Sequence, residues 1–167
     1  MRPWRRPGAT KPDDVLALEE QVGHRAATWG RSGRGAAVLA TRTALVIGGD
    51  PPSVLPWHCI DRASWESPTF SLTCRDPDSG ASQVLQLELA ERGDLPRAVR
   101  DRVTRSVVLS RRVELSEGAG AVVAARRDDS GAVSWTVVFD PGLDPTDPQL
   151  QQQARLALQD LRQSLGA

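Results

Sequence analysis

Two histidines, His24 and His58, and two cysteines, Cys59 and Cys74, are the side chains that could supply a base or a soft nucleophile. A Ser–His–Asp or Cys–His centre needs a base hydrogen-bonded to its nucleophile and oriented by a third group. His58 and Cys59 are adjacent, and adjacent residues of a strand point to opposite faces. The pair therefore reads as a surface histidine beside a packed thiol. A metal site needs several N, S or carboxylate donors at recurring spacings, and no such set stands in the chain. Asp76-x-Asp78-x-Gly80 resembles the start of a calcium loop, but the bidentate acid expected some residues later is replaced by Gln83 and Gln86. It reads as a hairpin turn. Gly118-Ala119-Gly120 is too sparse for a phosphate cradle and lacks a following helix, so it reads as a turn as well. No catalytic residue, cofactor or metal is assigned, and the chain is not read as an enzyme.

Charge offers the remaining chemistry. Residues 92–112 carry seven arginines against Asp94 and Asp101, between an acidic stretch over 61–91 and five aspartates over 128–147. Arg97, Arg100, Arg102 and Arg105 are the candidate phosphate-binding residues, for a lipid headgroup or a nucleic acid. The competing reading is a solvated helix whose arginines answer the flanking acids. Single-strand recognition also wants aromatics beside the basic groups, and none of the seven aromatics lies between Arg92 and Arg112. Nucleic acid and membrane surface are accordingly not the expected partners. A formal charge of zero removes a whole-molecule argument for either. Twenty of the 21 basic residues are arginine, a bias that suggests GC-rich coding before it suggests chemistry.

Hydrophobic content of 40% and charged content of 25% belong to the globular range. No apolar run reaches the length of about 18 residues that spans a bilayer. The arginines of Met1-Arg2-Pro3-Trp4-Arg5-Arg6-Pro7 are followed by Gly8 to Asp14 and not by the apolar stretch of an export signal. Residues 1–12 are therefore expected to be a disordered basic tail. With no such signal, Cys59 and Cys74 are expected to be reduced, packed thiols in a soluble, cytoplasmic protein.

The elements that would position these groups follow from periodicity and punctuation. Asp13 to Gln21 reads as a short helix. Arg25–Trp29, Ala36–Thr41 and Ala44–Ile47 are short apolar runs parted by turn residues, hence antiparallel strands. Ser53–Pro56 with Ile60–Trp65 reads as one bent fourth strand, Phe70–Cys74 as a fifth and Val84–Leu89 as a sixth. In the last, Leu85, Leu87 and Leu89 share a face that is expected to lie in the core. Asp94 then caps a helix with Leu95, Val99, Val103 and Val107 on one stripe. Val108–Leu115, Ala121–Arg127 and Val133–Asp140 form a three-stranded meander. A last helix runs from Pro148 to Leu165, capped by Asp147 and ended by Gly166. Its stripe, from Leu150 to Leu165, is expected to dock on the meander, with Leu156 left outside.

The stretch Ala44-Leu45-Val46-Ile47, a break, Val54-Leu55-Pro56-Trp57 and Ile60-Asp61-Arg62-Ala63-Ser64-Trp65, ahead of a single helix, resembles the pleckstrin-homology-like barrel of bacteria. Pro56 has no N–H for a ladder and marks a corner, and Trp57 and Trp65 are large enough to plug the barrel mouths. The resemblance implies an α+β fold: a bent antiparallel barrel of about six strands closed by a helix over residues 13–107. A meander and helix over 108–167 are appended to it. It supplies no catalytic residues. The function expected is a non-catalytic binding or scaffolding module acting on an unknown protein partner, or on a second copy as a homodimer, through a sheet edge, groove or dimer face. A phosphate-directed binder is the alternative, and an unrecognised enzyme the second alternative.

Overall fold

The computed structural model describes residues 10–76, 81–115 and 118–164. The chain divides into two compact units, Met1–Thr104 and Arg105–Ala167, so the division falls inside a helix, three residues before the expected end of the barrel at 107.

Unit 1 opens with helix α1, Asp13–Val22, followed by strands β1 (Ala26–Ser32), β2 (Ala37–Thr41), β3 (Ala44–Ile47), β4 (Ser53–Pro56), β5 (Ile60–Glu66), β6 (Thr69–Arg75) and β7 (Ser82–Glu91), and then helix α2 (Leu95–Ser106). All pairs are antiparallel, in the order β4-β3-β2-β1-β7-β6-β5. The expected single fourth strand is thus two strands. Pro56 ends the first, a 3-10 turn over Trp57–Cys59 intervenes, and β5 pairs with β6 and not with β3. Successive in sequence, β4 and β5 stand at opposite edges of a seven-stranded sheet. A flat sheet would hold those edges roughly 29 Å apart, at about 4.8 Å per step. The connection from Pro56 to Ile60 reaches about 14 Å at most. The sheet must therefore curl.

Packing follows the curl. Along β2, Val38 and Ala40 enter one cluster with Leu45, Ile60, Phe70, Leu72, Leu89 and the α2 stripe Leu95, Val99 and Val103. Ala37 and Leu39 enter another with Val46 and the α1 residues Val15 and Leu18. Both faces of β2 are covered, which is why its five residues form an unbroken apolar run. The expected Leu85–Leu87–Leu89 face does point to the first cluster, with Leu89 buried and the other two half-buried against it. Trp57 is buried and donates its indole N–H to the Thr41 carbonyl at 3.2 Å. Trp65 is half-buried, 6.3 Å from Phe70 between ring centroids. The two halves of the sheet meet at a short seam between β1 and β7, where Arg31 pairs with Glu91 and Ser32 with Leu89. A Cβ at Gly30 would stand 2.5 Å from the Glu91 carbonyl oxygen, so the close approach there requires glycine.

Residues 10–12 are not loose, contrary to the tail expected over 1–12. The Pro12 carbonyl accepts from Val15 and Leu16, and Lys11 binds Glu19 and the Ala26 carbonyl. Residues 1–9 lie outside those described.

Unit 2 contains strands β8 (Val107–Glu114), β9 (Gly120–Arg127) and β10 (Val133–Phe139) and helix α3 (Pro148–Ser164). The sheet is antiparallel in the order β10-β9-β8. The β9–β10 turn is built on Asp128, whose Oδ1 accepts from the backbone N–H of Ser130 and of Ala132, while Gly131 takes φ +89°. As expected, Asp147 caps α3: its carboxylate accepts from Gln149 N–H at 2.8 Å. Also as expected, α3 docks on the sheet, burying Leu150, Ala154 and Leu161 and stacking Arg162 on Trp135 at 5.7 Å, with Leu156 exposed. Leu165 and Gly166 lie outside the described residues.

Candidate interaction edges

Helix geometry places the four candidate arginines. At about 100° per residue, Arg97, Arg100, Arg102 and Arg105 spread over roughly 200° of the α2 circumference and do not converge on one point. Asp101 stands four residues from Arg97 and four from Arg105, between them on the same face. Arg97, Arg100 and Arg105 are exposed, and Arg102 is half-buried with its guanidinium 3.5 Å from the Arg42 carbonyl. None of the four makes an ion pair among the described residues.

The thiols sit at the corner between β4 and β5. Cys59 and Cys74 are both free and buried. His58 and Cys59 belong to the 3-10 turn and not to a strand, with His58 half-buried. Burial pushes both thiols above their ordinary range. For Cys59 the positive charge of Arg75 only partly offsets it, and for Cys74 a hydrogen bond with Gln83 does so. Buried protonated thiols are poor nucleophiles. What the corner does have is a clamp that sequence reading missed. Arg75 donates through Nε to both Asp61 carboxylate oxygens, at 3.2 and 3.1 Å, and through Nη2 to the His58 carbonyl at 2.7 Å. The Asp61 side chain is 3% exposed. Since Arg75 is on β6 and His58 in the turn, the clamp fixes the corner.

His24 is exposed after α1. Asp76 opens the β6–β7 turn, where its N–H donates to the Ala81 carbonyl, and residues 77–80, with the rest of the calcium-like motif, lie outside the described set. Among the described residues, no group of three or more His, Cys, Asp or Glu is placed to hold a metal ion, and no helix is long and apolar enough to cross a membrane.

The strand edges remain. An edge strand presents a row of backbone donors and acceptors to any other extended chain, and proteins usually blunt such edges with charge, proline or brevity. Among the described residues, three of the four strand edges are blunted. β4 has four residues and ends on Pro56. β5 carries Asp61, Arg62 and Glu66. β8 carries Arg111, Arg112 and Glu114, with Arg112 paired to Asp140. β10 is Val-Ser-Trp-Thr-Val-Val-Phe, seven residues with no charge, proline or glycine. It ends the ladder of its sheet, and Val133 at its start is 43% exposed. Its composition was legible in the sequence. Its position at an edge was not, because a three-strand meander can order its strands only once the pairing is known.

No protein-family model, curated protein or solved structure matches the chain.

Proposed function

We propose that this protein is a non-catalytic binding module that receives an extended polypeptide segment along the outer edge of β10, acting in the cytoplasm. The observation that carries the reading is the contrast among the four edges: β10 alone is long, uncharged and rich in β-branched and aromatic residues. Strand addition draws affinity from main-chain hydrogen bonds and specificity from alternate side chains, and β10 offers both. Unit 1 would then be the scaffold, a pleckstrin-homology-like barrel. The curl forced by the Pro56–Ile60 corner and the entry of the α2 stripe into the curled sheet support that assignment. The phosphate-directed alternative draws no support from α2, whose arginines diverge around Asp101.

A photo-reactive residue at Val133, introduced into the full chain in its native cell, tests the reading. Adducts mapping to an extended segment of a polypeptide, and lost when Val138→Lys puts a charge on the edge strand, are the expected result. Adducts that persist unchanged in the Val138→Lys protein would overturn it.

A further inference from the structure

We infer that the segment received by β10 is β10 of a second copy, paired antiparallel about a two-fold axis. The inference rests on the edge-binding reading above and narrows it to one occupant. A symmetric edge-to-edge pair must be self-complementary, since each residue meets the same strand run backwards. With the axis at Thr136, Trp135 faces Val137 of the other copy and Val133 faces Phe139, large against small. Ser134 faces Val138 on the opposite side of the sheet. No charge meets its like and none is left without a partner. The same operation on β8 gathers Arg111 and Arg112 of both copies at the seam, where like charges close together oppose pairing.

The neighbouring residues agree with this geometry. In β10, Trp135 pairs with Ala125 and Val137 with Val123, so these residues share the face on which α3 stacks Arg162 over Trp135. A two-fold axis normal to the sheet keeps α3 of both copies on one side. The half-buried Trp135 then gains a cross-strand aliphatic neighbour, a favourable class of pair. Pairing also doubles a three-stranded sheet, the smallest size that is stable with one covered face. A charged foreign strand would set its charges against neutral partners, whereas β10 itself meets every requirement of the edge.

Sedimentation of the full chain from micromolar to millimolar concentration, with hydrogen exchange read by mass spectrometry over the same range, tests the inference. The expected result is a mass rising toward twice the 18.1 kDa of one chain, with exchange slowed in β10 and unchanged in β8. Val138→Lys should hold the protein at single-chain mass while its circular dichroism and melting temperature stay close to wild type, and Val138→Thr, which keeps β propensity without charge, should leave the association in place. A wild-type chain that stays at single-chain mass, or one that associates with β10 exchange unaltered, overturns self-pairing. Adducts from Val133 to a foreign extended segment would, in that event, leave the edge-binding reading standing. Adducts insensitive to Val138→Lys would sink both.

Discussion

In unit 1 the sheet has helices on both faces and blunted strands at both edges, whereas in unit 2 one helix docks on three strands and one edge strand carries no charge or proline. The difference separates two tasks that a sheet must meet. Covering a face requires apolar side chains at the right period, and both units have them. Protecting an edge requires a few charges or a proline at positions that add nothing to the core, and β10 lacks them while β5 and β8 keep theirs. A core is enforced by stability, but an edge is free to be left open where something is meant to pair with it.

The largest effects are expected from the cores of the two units. Phe70 is 1% exposed in the main cluster of unit 1, and Phe70→Ala should cost about 3–5 kcal/mol in a denaturant titration. Leu161 anchors α3 on the smaller sheet at 6% exposure, and Leu161→Ala should cost about 2–3 kcal/mol, because a helix lying on a small sheet can relax into the space. A larger loss at Leu161 than at Phe70 would show that unit 2 is the better packed of the two. Below these comes the α3 cap. Asp147→Ala removes the acceptor for the Gln149 N–H and should cost about 1 kcal/mol, which Asp147→Asn should largely restore.

Acid should loosen α1, which packs with Ala37, Leu39 and Val46 in the second cluster of unit 1. Burial alone would raise the Glu19 carboxyl, but the Lys11 ammonium and the Ala26 N–H hold it below its ordinary value of 4.5. A carboxyl lowered in the folded state stabilises the fold above its unfolded pKa and loses that contribution as pH falls through the folded value. Stability should therefore drop as pH is taken below about 4.5, and Glu19→Gln should flatten that part of the profile while lowering stability at neutral pH. A profile identical to wild type in acid would show that Glu19 does not govern acid stability. The smallest effect on stability is expected from the exposed residues Arg62 and Glu66. Replacing both with Thr should change stability within about 0.5 kcal/mol, yet strip the protection of β5 and add association beyond the two-chain mass reached through β10. An unchanged sedimentation profile would show that the two charges do not guard that edge.

Local chemistry made many elements legible in the sequence. Asp147 and Pro148 announce the start of α3, Asp128 to Gly131 a hairpin turn, and the four-residue steps from Leu95 to Val103 the buried stripe of α2, each through residues close in the chain. The α+β class and the docking of α3 follow from the same periodicities. What depends on partners distant in sequence was decided only by tertiary structure. The run Ser53–Trp65 looks like one bent strand until pairing shows that its halves bind β3 and β6, and Arg75 becomes a clamp only because β6 lies beside the corner it holds. The arginines of α2 are a dense basic run in sequence, but the helix turns them away from one another. Most of all, Val133–Phe139 could as well have been a central strand. Periodicity tells which face of a strand is buried, but an edge is defined by the absence of a neighbour, and only the assembled sheet, with β9 on one side of β10, shows which neighbour is missing.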